Sequence, residues 1–268
     1  MKFKQVDVFT ERPFLGNPVA VVIGAEGLDT ATMQRIAAWT NLSETTFLLQ
    51  SDKADYRLRI FTPREELPFA GHPTIGSAHA ALESGFVKKR QELTQECGAG
   101  VLELTVEDNW IYVRAPQPKL TRLEKPTPFG KALRVDVGPV WIVAELEDAA
   151  ALAALEPDMA SIAELSRSLE ATGVTLFARA DDGRSEIQVR SFAPLHGVSE
   201  DPVCGSGNIS VGAYLRFTGK LDEVGSPYVA RQGMQLGRDG RISVRVTERD
   251  IYIGGRAVTC VDGTLRTA

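Results

Sequence analysis

Histidine and cysteine are scarce, at three of each in 268 residues. His72, His79 and His196 form neither a His-x-x-x-His nor a His-Glu-x-x-His pair. Cys97, Cys204 and Cys260 are odd in number and too widely spaced for a Cys-x-x-Cys site or a disulfide framework. The expectation is a chain without a metal centre, with reduced thiols and a cytoplasmic location. Long apolar runs are missing as well. The longest, Pro18 to Ala25, falls far short of the roughly 20 residues of a membrane span, and Asp7 stands where a signal peptide needs its apolar stretch. Positive charge is not in excess: 30 Lys and Arg against 35 Asp and Glu leave a formal charge of −5 with the signs interspersed, which argues against nucleic acid as a partner. There is no Gly-x-x-x-x-Gly-Lys-Ser/Thr phosphate loop and no Gly-x-Ser-x-Gly elbow, and Gly205-Ser206-Gly207 does not continue into a dinucleotide fingerprint.

What is present is the composition of an ordinary globular protein, with 43% apolar and 24% charged residues. Short segments of alternating or β-branched character predict strands, among them Val6 to Phe9, Val19 to Ile23, Thr45 to Leu49, Tyr56 to Ile60, Val174 to Ala178 and Ile187 to Phe192. Arg238-Asp239-Gly240-Arg241 reads as a two-residue hairpin turn. Helices are fewer. Asp29 caps one, Ser161 with Glu164 forms a capping-box pattern for another, and two more open in glycine-containing turns, Gly71 to Ala81 and Gly205 to Phe217. Four prolines between Pro116 and Pro128, without apolar periodicity, predict an interdomain linker.

The two halves resemble each other. Arg57-Leu58-Arg59-Ile60-Phe61-Thr62-Pro63 aligns with Gln188-Val189-Arg190-Ser191-Phe192-Ala193-Pro194, Phe69 to Ile75 aligns with Val203 to Ile209, and Thr46-Phe47 lies opposite Thr175-Leu176. An ancient duplication into two similar α+β domains is expected. Each half then has a strand ending in Phe-x-Pro, an irregular loop, and a helix whose first N–H groups lack intrahelical partners and favour an anion. Glycine at such a start also serves close packing, so either turn alone has a purely structural alternative.

Four polar residues converge on these features. Glu44, just before an apolar strand, is held at the edge of the core and suits a general base, or else simply punctuates its loop. His72 lies in the first turn of its helix, where the dipole disfavours imidazolium and the neutral ring can donate or accept a hydrogen bond. Asp201 precedes Pro202, and Ser206 follows Gly205. Cys204, immediately before that helix, is expected to have a depressed pKa and to exchange protons or act as a nucleophile, the alternative being a small buried residue.

At these positions the sequence resembles the PhzF-like family of phenazine-biosynthesis isomerases, which shares the diaminopimelate epimerase fold. The resemblance is carried by Val6-Asp7-Val8-Phe9-Thr10, Gly16-Asn17-Pro18-Val19-Ala20, Asn41-Leu42-Ser43-Glu44-Thr45-Thr46-Phe47, Phe61-Thr62-Pro63, Glu66-Leu67-Pro68-Phe69-Ala70-Gly71-His72-Pro73-Thr74 and Glu200-Asp201-Pro202 with Gly205-Ser206. It implies two pseudo-symmetric β-roll-like domains, each wrapped around a central helix. Their expected limits are residues 1–116, a linker at 117–128 and residues 129–255, with a final strand at about 256–268 returning to the first domain. It further implies a cofactor-independent isomerase acting as a homodimer on a small carboxylate-bearing metabolite. Glu44 would shuttle the proton, and Gly71, His72, Asp201, Gly205 and Ser206 would bind and polarise the substrate. Cys204 stands where the family commonly has threonine, as one catalytic cysteine does in the epimerase branch, while Ala70 replaces the other. This leaves two alternatives beside the isomerase: a one-thiol epimerase or racemase using Cys204, and a non-catalytic metabolite-binding protein of the same fold.

Overall fold

The computed structural model describes residues 1–267, which form two compact units: Met1–Arg114 with the segment from Gly254 onward, and Ala115–Ile253. Of the final strand expected at about 256–268, residue 268 lies outside the described residues.

The first unit begins with β1 (Lys2–Val8), β2 (Asn17–Ile23), α1 (Thr30–Thr40), β3 (Thr45–Leu49) and β4 (Tyr56–Phe61). It continues through the two-residue β5 (Glu66–Leu67), α2 (Gly71–Glu83), β6 (Glu92–Cys97), β7 (Gly100–Glu107) and β8 (Trp110–Arg114). The Asp29 side chain accepts from the Thr32 N–H and caps α1, and Asn41 in the left-handed conformation ends it. α1 lays Met33 and Ala37 against Val22, Phe47 and Phe61 of the neighbouring strands. α2 is different: Thr74 to Ala78, Ala80 and Ala81 are all buried, and it packs against β1, β2, β3 and β8. A helix buried on several sides belongs in the interior, and its small residues let the strands approach. At Gly76 a Cβ would lie 2.7 Å from a Val8 methyl.

The second unit runs through β9 (Lys119–Arg122), β10 (Ala132–Asp136), β11 (Val140–Glu145), α3 (Ala149–Ala154), α4 (Met159–Ser168), β12 (Gly173–Arg179) and β13 (Ile187–Ala193). There follow β14 (Val198–Asp201), α5 (Gly205–Thr218), α6 (Leu221–Val224), β15 (Tyr228–Gln232), β16 (Gly240–Val246) and β17 (Ile251–Gly255). The last strand, β18 (Ala257–Thr264), returns to the first unit and pairs antiparallel with β1.

Three local expectations change. The cap of α4 is Asp158, not Ser161, because its carboxylate accepts from the N–H groups of Ala160 and Ser161 one turn earlier. Asp239-Gly240 is not a two-residue hairpin. Residues 233–239 connect β15 to β16 through a short 3-10 turn, and the Asp239 carboxylate is taken by Arg231 and Arg241 instead. The stretch expected as a linker at 117–128 contains β9, which pairs with β10 because Pro116, Pro118 and Pro126 flank the strand without interrupting it.

Pairing follows one pattern in both units. In the first the order is β18, β1, β2, β3, β4, β6, β7, with successive neighbours antiparallel, antiparallel, parallel, antiparallel, parallel and antiparallel. In the second, β9, β10, β11, β12, β13, β15, β16 repeat that succession. Each parallel pair needs a crossover. α1 supplies one where α3 and α4 do in the second unit, and α2 supplies the other where α5 does. Side chains repeat as well. Arg59 lies over Phe61 and grips Glu66 through Nε and Nη2, while Arg190 lies over Phe192 and grips Glu200 the same way. The architecture is α+β, and the aligned segments in the two halves occupy corresponding elements.

Candidate active site

In the first unit the structure brings together Glu44 and His72, 28 residues apart in sequence. Asn41 turns the chain out of α1, and Thr45, buried at the start of β3 and 2.6 Å from the Thr40 hydroxyl, fixes the position of the residue before it. Glu44 is thereby held at the core edge, its side chain 17% exposed. His72 is the second residue of α2 and is 7% exposed. Its Nδ1 lies 3.0 Å from Glu44 Oε2 and its Nε2 lies 2.8 Å from the Asn17 carbonyl oxygen. Glu44 Oε1 has no hydrogen-bond partner among the described residues. Gly71 precedes His72 in the first turn of α2, whose N-cap, Ala70, offers no side-chain cap. That turn's early N–H groups lie ahead of the first intrahelical acceptor.

A carbonyl oxygen only accepts, so His72 Nε2 carries a proton. The contact between Nδ1 and Glu44 then contains one proton, in either of two forms: an imidazolium facing a carboxylate, or an imidazole accepting from a carboxyl group. Such a pair can take up or release a proton with little movement of heavy atoms.

The second unit gathers Asp201, Cys204, Gly205 and Ser206 at the start of α5. Asp201 ends β14, and its Oδ1 accepts from the Val203 N–H at 3.0 Å across Pro202. Cys204 is the N-cap: its Sγ accepts from the Gly207 N–H at 3.3 Å and lies 3.6 Å from Ser206 Oγ. Burial, with the nearby Asp201 carboxylate second, pushes the Cys204 thiol well above its ordinary value. The depressed pKa expected from the helix start is therefore corrected, because desolvation outweighs the dipole for a fully enclosed sulfur. Cys204 is a neutral capping thiol.

Sequence reasoning assigned no role here to Trp141 and Gln232. The Trp141 indole N–H donates to Ser206 Oγ at 3.0 Å, and since indole cannot accept, the serine keeps its own proton for the sulfur or a ligand. Gln232 is fully buried and binds three ways: Oε1 accepts from the Cys204 N–H and the Asn208 side chain, and Nε2 donates to the Asp201 carbonyl. Nothing in the local sequence marks either residue, since each reaches the site from a strand distant in the chain. Asn17 was visible only within its Gly16-Asn17-Pro18 motif, and its contribution is a backbone oxygen.

Among the described residues no three His, Cys, Asp or Glu side chains gather as a metal site, and no helix is long and apolar enough to cross a membrane.

The family model described as "Phenazine biosynthesis-like protein" matches residues 6–263. Antisense-enhancing sequence 1 of Schizosaccharomyces pombe is 41% identical, with 97% of each chain covered. Trans-2,3-dihydro-3-hydroxyanthranilate isomerase of Pseudomonas chlororaphis is 33% identical, again with 97% of each chain covered. The crystal structure of a Bacillus anthracis phenazine biosynthesis protein of the PhzF family superposes with a TM-score of 0.89 at 25% identity, covering 100% of this chain and 99% of the other.

Proposed function

The chain belongs to the phenazine biosynthesis-like family and is an isomerase, and from that premise we propose that it moves a proton between two carbons of a small, carboxylate-bearing metabolite, with Glu44 as the acid–base group. The observation that supports this most is the Glu44–His72 contact: one carboxylate oxygen is held by the imidazole and the other is left to meet a substrate. Glu44 Oε1 takes the proton from a carbon made acidic by its neighbours, and the same carboxyl group returns it at the second carbon. No electrons are lost or gained. His72 orients the carboxylate and offsets its charge while the proton is away. The first-turn N–H groups at Gly71 in the first unit, and those at Gly205 with the Ser206 hydroxyl in the second, are each suited to donate to a carboxylate or a developing enolate. Asp201 accepts from a substrate N–H or O–H. An epimerase that used Cys204 as a base would need a thiolate where burial and Asp201 favour the thiol.

The test is conversion or solvent-deuterium incorporation in deuterated water. It begins with trans-2,3-dihydro-3-hydroxyanthranilate, the compound in the relative's name, and extends to other small amino and hydroxy acids. Glu44→Gln is expected to lose about 10²–10⁴-fold in rate. Equal rates for wild type and variant would remove Glu44 as the acid–base group.

A further inference from the structure

Two motifs of the sequence, Val6-Asp7-Val8-Phe9-Thr10 and Gly16-Asn17-Pro18, have no part in the proton transfer above, yet they bring a buried acid next to the peptide that holds His72. We infer that Asp7 is a positioning residue for His72: it fixes the Gly16–Asn17 segment, which sets the ring nitrogen that carries the proton and so presents Nδ1 to Glu44. The inference rests on the reading of Glu44 as the acid–base group.

β1 and β2 pair antiparallel with Val8 opposite Asn17, so the residues between them form a loop closed at its base. Asp7, buried on β1, reaches across that base, and its Oδ2 accepts from the Gly16 N–H at 3.0 Å. Gly16 fits only because it has no side chain. A Cβ there would collide with the Val8 carbonyl oxygen and stand 2.8 Å from the Thr10 methyl group. The Leu15–Gly16 peptide is thus held by a carboxylate at a position that only glycine fits. The carbonyl of the next residue, Asn17, accepts from His72 Nε2 at 2.8 Å. Phe9, at φ +67°, lies against the imidazole with ring centroids 6.1 Å apart.

The chemical consequence follows from what each atom can do. With the carbonyl fixed, the tautomer protonated on Nδ1 would point a nitrogen lone pair at an oxygen lone pair, and it is excluded. With the carbonyl displaced, that tautomer becomes available, and a neutral imidazole can then donate to a Glu44 carboxylate. The pair then holds one proton fewer, and Glu44 loses the arrangement in which His72 shares its proton. Asp7 therefore acts on the reaction without touching substrate, through two hydrogen bonds and the two residues between them, Gly16 and Asn17.

The experiment is long-range ¹H–¹⁵N spectroscopy of the full chain labelled with ¹⁵N-histidine, with His72 assigned by the signals lost in His72→Gln. In wild type, Nε2 is expected to show a protonated-type resonance at every pH where the protein is folded. An unprotonated Nε2 overturns the inference whatever the variants do. Asp7→Ala is expected to move both ring nitrogens toward averaged positions. Asp7→Asn, which keeps an oxygen acceptor for Gly16, is expected to retain the wild-type pattern. An unchanged pattern in folded Asp7→Ala, or its loss in Asp7→Asn, overturns the assignment. Gly16→Ala, which displaces the same Gly16–Asn17 segment with Asp7 intact, is expected to reproduce the Asp7→Ala pattern and stands in for it should that variant not fold. No substrate enters these spectra. The expected pattern beside a fully active Glu44→Gln would keep the positioning and remove the acid–base role, so the two ideas fail separately.

Discussion

Glu200→Ala and Glu66→Ala remove the same ion pair from two repeats that bury it differently, and they should have very different costs. In the second unit Arg190 and Glu200 are 3% and 8% exposed. Losing the carboxylate strands Arg190 Nε and Nη2 in the interior, while Nη1 keeps the carbonyls of Leu152 and Leu155 at 3.1 and 2.7 Å. Leaving half of a buried pair without its partner typically costs about 3–5 kcal/mol. In the first unit Arg59 and Glu66 are 18% and 39% exposed, so water replaces the lost acceptor and Thr30 still binds Nη2 at 3.0 Å. An exposed pair of that kind is worth about 0–1 kcal/mol. Urea unfolding can report each unit through one tryptophan: Trp141 alone in a Trp39→Phe/Trp110→Phe background, and Trp110 alone in Trp39→Phe/Trp141→Phe. With a urea dependence of about 1–3 kcal/mol per M, Glu200→Ala should lower the Trp141 midpoint by at least about 1 M, and Glu66→Ala should move the Trp110 midpoint far less. Replacing both partners by apolar residues, Arg190→Met with Glu200→Leu, should recover only part of the loss, because it also takes the Nη1 donor from the Leu152 and Leu155 carbonyls. Equal shifts for the two single variants would refute the reasoning that burial decides the cost.

Three further outcomes follow from particular contacts. Iodoacetamide at mildly alkaline pH should label the half-buried Cys260 before Cys204, whose thiol is buried and pushed up; peptide mass spectrometry showing Cys204 labelled first would contradict the capping role. Burial alone would raise Asp182, but the Arg241 guanidinium and the N–H groups of Arg184 and Ser185 hold it below the ordinary carboxylate value. Its contribution is therefore complete above the ordinary value and lost as pH falls through the depressed one. Asp182→Asn should flatten the acid limb of the stability profile read by Trp141, and an unchanged limb would exclude the linkage. Gly207→Ala places a Cβ 2.6 Å from Ser191 Oγ and 2.9 Å from Thr175 Oγ1, which hydrogen-bond each other at 3.0 Å; overpacking there should cost about 1–3 kcal/mol in the same urea assay.

Much of this was legible in the residues. Glycine-led turns at Gly71 and Gly205 open the two interior helices, and the aligned Arg-x-Phe segments sit on equivalent strands with equivalent acid partners. At α4, Ser161 and Glu164 have the spacing of a capping box, but the carboxylate of Asp158 reaches the first N–H groups of the helix and takes the Ser161 hydroxyl as well. Asp239-Gly240 has turn composition, but two arginines from paired strands fix the aspartate inside a longer connection. Cys204 shows the limit of local reasoning most clearly. A helix start acts through nearest neighbours and is visible in the sequence, while the burial that overrides it comes from strands far along the chain. Trp141 and Gln232 escape for the same reason: they meet α5 only through the fold.

The pairing of β18 with β1 governs the order in which the chain can become structured during synthesis. β1 leaves the ribosome long before β18, and the edge that β18 covers has no partner until residues 257–264 have followed; Met1 and Leu265 exchange backbone hydrogen bonds at the end of that ladder. The unit that begins first is completed last. The contiguous segment Ala115–Ile253 has no such dependence, so it can close while the earlier half still carries an open strand edge, the kind of surface that recruits other chains. Removing residues 257–264 would for the same reason damage the unit that holds Glu44 and His72 while leaving the segment Ala115–Ile253 whole.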